Sequence, residues 1–324
     1  MSQFMVQSSP HIHSKDHTRR IMADVCFALT PALLAGILVN GVRALIVAFV
    51  SIAAAILGES LCRVLSRQHQ TILDLSAVVT GLLLALTLPA TVPYWLAALG
   101  ALFAVIVVKA MGGGLGQNLF NPALAARAFL LLLFPAHLTR FPAIGTALPL
   151  ADAVDAVTSA TPLHAMQMPA LPGASLLDMF LGRIGGCIGE VSSLALLIGG
   201  IYLVFRKVIS VRIPLCYIGT AALLSLLFYK TDAPLQWMLY SVLSGGLLLG
   251  AIFMATDYAS SPVTPWGQVI YGVGCGALTV LFRYTGLYPE GVTFAILLMN
   301  AFAPILDRMT APRRFGLMEG RNDK

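Results

Sequence analysis

The sequence predicts an all-α integral membrane protein of about ten transmembrane helices, arranged as a 5+5 inverted repeat. Three observations predict it. Charged residues are 10% and apolar residues 58% of 324, against about 25% and 45–50% in soluble domains, and mean hydropathy is +0.86. Apolar runs of spanning length recur along the chain. Segments of the two halves echo each other. A soluble enzyme, a disordered chain and a disulfide scaffold are excluded by the first observation alone.

A helix needs about 20 apolar residues to cross a bilayer. Runs near that length fall at 21–39, 43–62, 72–90, 94–111 and 119–136. After a long connection they resume at 187–205, 212–229, 236–256, 267–284 and 291–306. The expected organisation is a polar N-terminal segment at 1–20, a first membrane repeat at 21–136, a loop at 137–186, a second repeat at 187–306 and a tail at 307–324. The N-terminal segment lacks a cleavable signal pattern. The loop carries prolines at 142, 149, 162, 169 and 172, and connections of that length are functional or disordered as a rule.

Lys and Arg fix the expected orientation. With the N-terminus inside, 14 fall on the cytoplasmic side, five outside (Arg43, Arg140, Arg183, Lys230 and Arg283), and Arg127 within a span. That bias predicts two cytoplasmic termini and an external 137–186 loop. The net charge of +6 is therefore a topology signal, and no nucleic-acid partner is expected.

The repeat is read from matched motifs. Gly81-Leu82-Leu83-Leu84-Ala85 echoes Gly246-Leu247-Leu248-Leu249-Gly250. Pro93-Tyr94-Trp95 echoes Pro265-Trp266, and Gly114-Leu115 echoes Gly286-Leu287. Five helices per copy is odd, so the copies insert in opposite senses, as in many transporters. Composition alone also makes Gly-Leu-rich helices alike.

Cys26, Cys62, Cys187, Cys216 and Cys275 form no C-x-x-C pair. That argues against a disulfide framework, a zinc site or an iron–sulfur cluster held by this chain alone, and no metal site is expected. Asp24, Glu59, Asp74, Lys109, Arg127 and Asp257 lie in or at the ends of spans, where charge is costly and functional by default. Snorkelling or capping accounts for Asp74, Lys109 and Asp257, and the interface for part of Glu59. Arg127, deep in its span, asks for an acidic residue, a cofactor or a packing role. None is singled out as an ion site.

Two motifs carry chemistry. In the external loop, Asp155-Ala156-Val157-Thr158-Ser159-Ala160-Thr161-Pro162 surrounds one hydroxyl with small residues. Pro162 disfavours helix at Thr161 and keeps it extended, so Thr161 is an accessible acceptor for a phosphoryl group. No His stands at a catalytic spacing, and His164 reads as loop solvation. The second motif is Gly112-Gly113-Gly114-Leu115-Gly116-Gln117-Asn118-Leu119-Phe120-Asn121-Pro122-Ala123. It lacks the Lys-Ser/Thr of a phosphate-binding loop and no strand precedes it. Asn121 as N-cap with Pro122 at the first helical position predicts a helix start, and the glycines a broken-helix loop.

D-x-x-[S/T]-x-A-T resembles the motif recognised by periplasmic flavin transferases, with Ser159 where Gly is usual. The resemblance implies FMN on Thr161 through a phosphoester, with Asp155, Thr158, Ser159 and Ala160 as recognition positions. G-G-L-G-x-N-x-F-N-P-A adds a second likeness. Ser8-Ser9-Pro10-His11, Arg20-Ile21-Met22, Tyr288-Pro289-Glu290-Gly291-Val292 and Arg313-Arg314-Phe315-Gly316 extend it along the chain. The whole resembles the RnfD family of the Rnf ion-translocating ferredoxin:NAD oxidoreductases, which is related to a flavin-bearing membrane component of the sodium-pumping NADH:quinone reductases. The resemblance implies one part of a redox-driven translocase, with no complete active site of its own. It implies a bacterial inner membrane, a periplasmic FMN loop, and RnfA, RnfB, RnfC, RnfE, RnfG and a flavin transferase as partners. It also raises a second, non-covalent flavin, riboflavin, for which no motif is legible. The rival expectation is a channel or secondary transporter with inverted repeats and no flavin.

Overall fold

The computed structural model describes residues 17–67, 72–114, 116–142, 150, 161–167, 171–286 and 291–311. Among them the chain is helical, with no extended strand. The first half holds α1 (Thr18–Asn40), α2 (Val42–Leu65), α3 (Ser76–Thr87), α4 (Tyr94–Ala110) and α5 (Pro122–Leu133). Between the halves the described residues hold three short helices, one at Pro135–Leu138, then α6 (Pro162–Ala165) and α7 (Leu176–Leu181). The second half holds α8 (Ser193–Phe205), α9 (Arg212–Leu227), α10 (Pro234–Leu243), α11 (Leu247–Met254), α12 (Pro265–Thr285) and α13 (Val292–Thr310).

Four helices, α1, α2, α12 and α13, are long and apolar enough to cross a membrane. A fifth candidate is the pair α10 and α11, bent by 59° at its break. The helices α3, α4, α5, α8 and α9 are apolar but shorter. Several expected spans are thus only partly helical. The run at 72–90 narrows to α3, which opens at Leu75 with φ of +60°. The run at 187–205 begins as irregular backbone, where Ile188 N donates to Leu88 O at 3.0 Å and Gly189 N to Leu86 O at 2.7 Å. The run at 236–256 breaks at Gly245 and Gly246, with φ of +67° and +66°. An apolar run reports burial in protein or lipid. Non-helical backbone is tolerated at that depth only where protein satisfies its polar groups, as the end of α3 does here.

In each half the second helix packs against two others: α2 on α3 and α4, α9 on α10 and α12. The halves meet where α1 crosses α8 and α5 touches α13. At the α1–α8 crossing a Cβ on Gly199 would fall 2.1 Å from Ala28 O. Only glycine permits that approach, the small-residue device of membrane helix packing. The helices α4 and α11 each close in a π-helical stretch, over Ala104–Ala110 and Gly250–Met254. Such stretches often mark functional sites.

One apolar core runs through both halves. A second cluster of Met166, Met179, Ile184, Trp237 and Tyr240 fastens the connection between the halves onto α10. The 137–186 segment is therefore, in its described part, a packed structure and not a free loop.

Candidate functional site

Thr161 has φ −68° and ψ 154°, the extended conformation expected before Pro162. Its Oγ1 accepts from His164 N at 3.3 Å and so caps α6. The side chain is half-buried and His164 is exposed. Asp155, Thr158, Ser159 and Ala160 lie outside the described residues.

Thr161 stands at the edge of a shallow, solvent-open recess that also includes Leu163, Gly185, Gly186, Glu190, Ser244 and Gly245. The break between α10 and α11 shapes it. A Cβ on Gly246 would lie 2.5 Å from Glu190 Oε1, and one on Gly245 would lie 2.3 Å from Leu163 Cδ2. Both positions also need positive φ, which glycine adopts at no steric cost. Arg283 backs the break, donating to Ser241 O at 2.6 Å and to Ser244 O at 3.0 Å. These are carbonyls that the end of α10 leaves without helical partners. Ser244 Oγ is buried and has no hydrogen-bond partner among the described residues.

Beneath the recess lies the residue that the sequence made conspicuous. Arg127 is 6% exposed; it donates to Cys187 Sγ at 3.4 Å and approaches Glu190 Oε1 at 3.9 Å. Of the three readings left open for Arg127, the structure shows an acidic residue beside it, Glu190. Sequence reading missed Glu190, Ser244 and the role of Arg283. The signal for Glu190 was a carboxylate inside the apolar run that starts at 187.

The opposite end of α3 holds a second polar site. Lys109 Nζ donates to both Glu59 oxygens at 3.0 Å and to Ser76 Oγ at 2.7 Å. Lys109 is 3% and Glu59 4% exposed, which corrects the snorkelling and interfacial readings. A recess of about 600 Å³ reaches this pair, lined by Cys62, Arg63, Gly113 and Gly114 among others. The glycine motif forms its wall: Gly113, Gly114 and Gly116 have φ of +106°, +93° and +85°. Asn121 caps α5 as expected, accepting from Ala123 N at 3.0 Å and Leu124 N at 3.3 Å. Its amide also donates to Met254 O at 3.2 Å, joining α5 to the π-helical end of α11. Asp24 pairs with Arg206 at 2.9 Å and Asp257 accepts from Ser260 at 3.0 Å. No cluster of three or more His, Cys, Asp or Glu side chains suited to a metal occurs among the described residues.

Broken apolar helices, buried ion pairs at two depths and glycine-lined recesses define a multi-pass membrane protein with internal polar sites. A model of the NQR2, RnfD, RnfE family matches residues 5–316, and the chain belongs to that family. It is 46% identical over 314 residues to the D component of the Na(+)-translocating ferredoxin:NAD(+) oxidoreductase complex of Acetobacterium woodii, covering 96% of this chain and 95% of that one. It is 41% identical to the D component of the proton-translocating ferredoxin:NAD(+) oxidoreductase complex of Clostridium ljungdahlii, covering 97% and 96%. It is 38% identical to the D component of an ion-translocating oxidoreductase complex of Stutzerimonas stutzeri, covering 92% of each.

Proposed function

We propose that this chain is the flavin-carrying membrane subunit of an Rnf-type complex, with FMN joined to Thr161 by a phosphoester. The complex would couple ferredoxin and NAD redox chemistry to ion translocation, and the chain would act as one part of that translocase. The observation that carries the reading is the setting of Thr161. Its hydroxyl is half-buried, caps a turn and stands at the edge of a shallow recess. Behind that recess stand two buried arginines, Arg127 and Arg283, with the buried carboxylate of Glu190. The cationic character of that wall suits the negative charge of a phosphoester. In a low-dielectric site charges of opposite sign stabilise each other only when brought together with good hydrogen bonding, and phosphoester and cradle would do this.

When bound, the FMN would supply one-electron transfer, which no cysteine set on this chain provides. The chain's own part is to hold it. Thr161 tethers it, Gly245 and Gly246 let the cradle close, and Arg283 and Arg127 set the charge. Asp155, Thr158, Ser159 and Ala160 would be read by the flavin transferase. Riboflavin as a second flavin rests on family resemblance, and no residue here is assigned to it.

We further read the ten helical segments, counting α10 with α11, as two five-helix copies of opposite sense in a bacterial inner membrane. The matching packing of α2 and α9 in their halves supports this reading. The termini would be cytoplasmic, the Thr161 recess periplasmic, and RnfA, RnfB, RnfC, RnfE and RnfG the partners. The direct test is in-gel ultraviolet fluorescence of the denatured chain made alongside an active flavin transferase. Wild type should fluoresce and Thr161→Ala should be dark. A dark wild-type band would favour the rival, a flavin-free channel or transporter built on broken helices.

A further inference from the structure

Helix α8 ends in a Schellman motif, with Lys207 N donating to Val204 O and Val208 N to Leu203 O, each at 2.9 Å. The residue at the turning point is Lys207, with φ of +56°. Glycine is usual there, because it reaches positive φ at no steric cost. A lysine strains the backbone, and its exposed side chain gains no burial in return. The dipole of α8 does not call for it either, since Arg206 already places a cation at the helix end. The charge of Lys207 is held outward at a cost to the chain.

It stands among charges of the same sign. Arg206 Nη2 and Nε donate to Asp24 Oδ2 at 2.9 and 3.3 Å, and Tyr202 OH donates to Asp24 Oδ1 at 2.9 Å. These bonds bring the end of α8 to the start of α1, where Arg19 and Arg20 are exposed. Arg212 opens α9 and is exposed as well. Five cations therefore gather at one end of three helices, with Asp24 among them already engaged by Arg206 and Tyr202. An apolar stripe runs along α8 from this patch. Ile198, Ile201 and Phe205 are all exposed and lie three and four residues apart, on one helix face. Exposed Phe27 of α1 widens the stripe, its ring centroid 5.2 Å from that of Tyr202. From Ile198 to Phe205 it extends about 10 Å, at about 1.5 Å per residue.

We propose that this end of α1 and α8 binds the headgroup of an anionic phospholipid, with Lys207 and Arg19 facing the phosphate and the acyl chains lying along the stripe. Clusters of Lys and Arg at the ends of membrane helices recognise such lipids by charge. An acidic protein surface would match the cations but leave unexplained the apolar stripe that continues from them. Asp24 and Tyr202 are positioning residues that act through Arg206. No flavin takes part, so the inference stands apart from the reading above.

The test is native mass spectrometry of the full chain, equilibrated in micelles with equal amounts of phosphatidylglycerol and phosphatidylcholine. Wild type should retain phosphatidylglycerol in preference. Lys207→Gly should lower that retention roughly fivefold, the weight of one cation near an anionic surface. Its unfolding temperature should stay level or rise, because glycine relieves the backbone strain. Weaker binding by a variant as stable as wild type separates charge from folding. Arg19→Gln should act likewise, and Lys230→Gln, beyond the other end of α9, should change nothing. Equal retention of the two lipids, unchanged retention in Lys207→Gly, or displacement of the lipid by inorganic phosphate alone overturns the inference. So does a Lys207→Gly complex that keeps its phosphatidylglycerol and loses a protein subunit, which would assign the patch to an acidic protein.

Discussion

The two ends of α3 solve the burial of charge in opposite ways. At one end Lys109 and Glu59 sit 3.0 Å apart, and Ser76 Oγ accepts a further hydrogen bond from the ammonium. The pair is balanced and fully hydrogen-bonded, although a recess reaches it from one side. At the other end Arg127 and Glu190 are 3.9 Å apart, Arg283 adds a second cation, and Ser244 Oγ has no partner among the described residues. A balanced pair is what structural integrity in a low dielectric requires. A looser, cation-rich cluster with a spare hydroxyl is a poor structural device. In the proposed reading the tethered phosphoester is the further group that would enter this cluster.

The contrast can be broken by substitution. The largest effect should come from Lys109→Met, which strands Glu59 and should cost about 3–5 kcal/mol. Thermal unfolding of the detergent-solubilised protein measures this, and the double variant with Glu59→Gln should recover a large part. Arg127→Met should cost less, about 2–3 kcal/mol, since the longer pair leaves less to lose and Arg283 remains nearby. Equal losses at the two ends would remove the distinction.

The glycines give the next step. Gly246→Ala meets Glu190 Oε1 at 2.5 Å as well as an adverse φ, whereas Gly114→Ala meets nothing nearer than 4.0 Å. The first should cost about 2–3 kcal/mol and the second about 1 kcal/mol, from backbone strain alone. The smallest pair is serine. Ser76→Ala removes an acceptor of a charged hydrogen bond and should cost about 1.5 kcal/mol, while Ser244→Ala should be within about 0.5 kcal/mol of neutral. A large loss at Ser244 in the flavin-free chain would show an unrecognised structural bond there.

Much of this was legible in the sequence, for physical reasons. The helical membrane class followed from apolar content, and the cap at Asn121 from its Pro122 neighbour. The extended backbone at Thr161 followed from Pro162. Arg127 stood out because a charge so deep is costly, but whether an acidic residue, a cofactor or packing met it was left open. What the sequence hid was where apolar runs cease to be helix. Leu75, Gly245 and the irregular backbone at 187–190 are read as span because their surroundings are apolar, although the backbone there turns away from helix and, at 188 and 189, bonds to a neighbouring element. For the same reason Glu190, three residues from Cys187, passed as part of a helix start. Lys109 and Glu59 were misjudged because a sequence separation of 50 residues says nothing of their contact.

The central claim, that Thr161 carries FMN, is tested most directly by intact-mass analysis of the chain co-produced with an active flavin transferase, followed by peptide mapping. The account predicts a mass increased by one FMN less one water, carried by the peptide that holds Thr161. An unmodified mass, or the added mass on a peptide without Thr161, would contradict it.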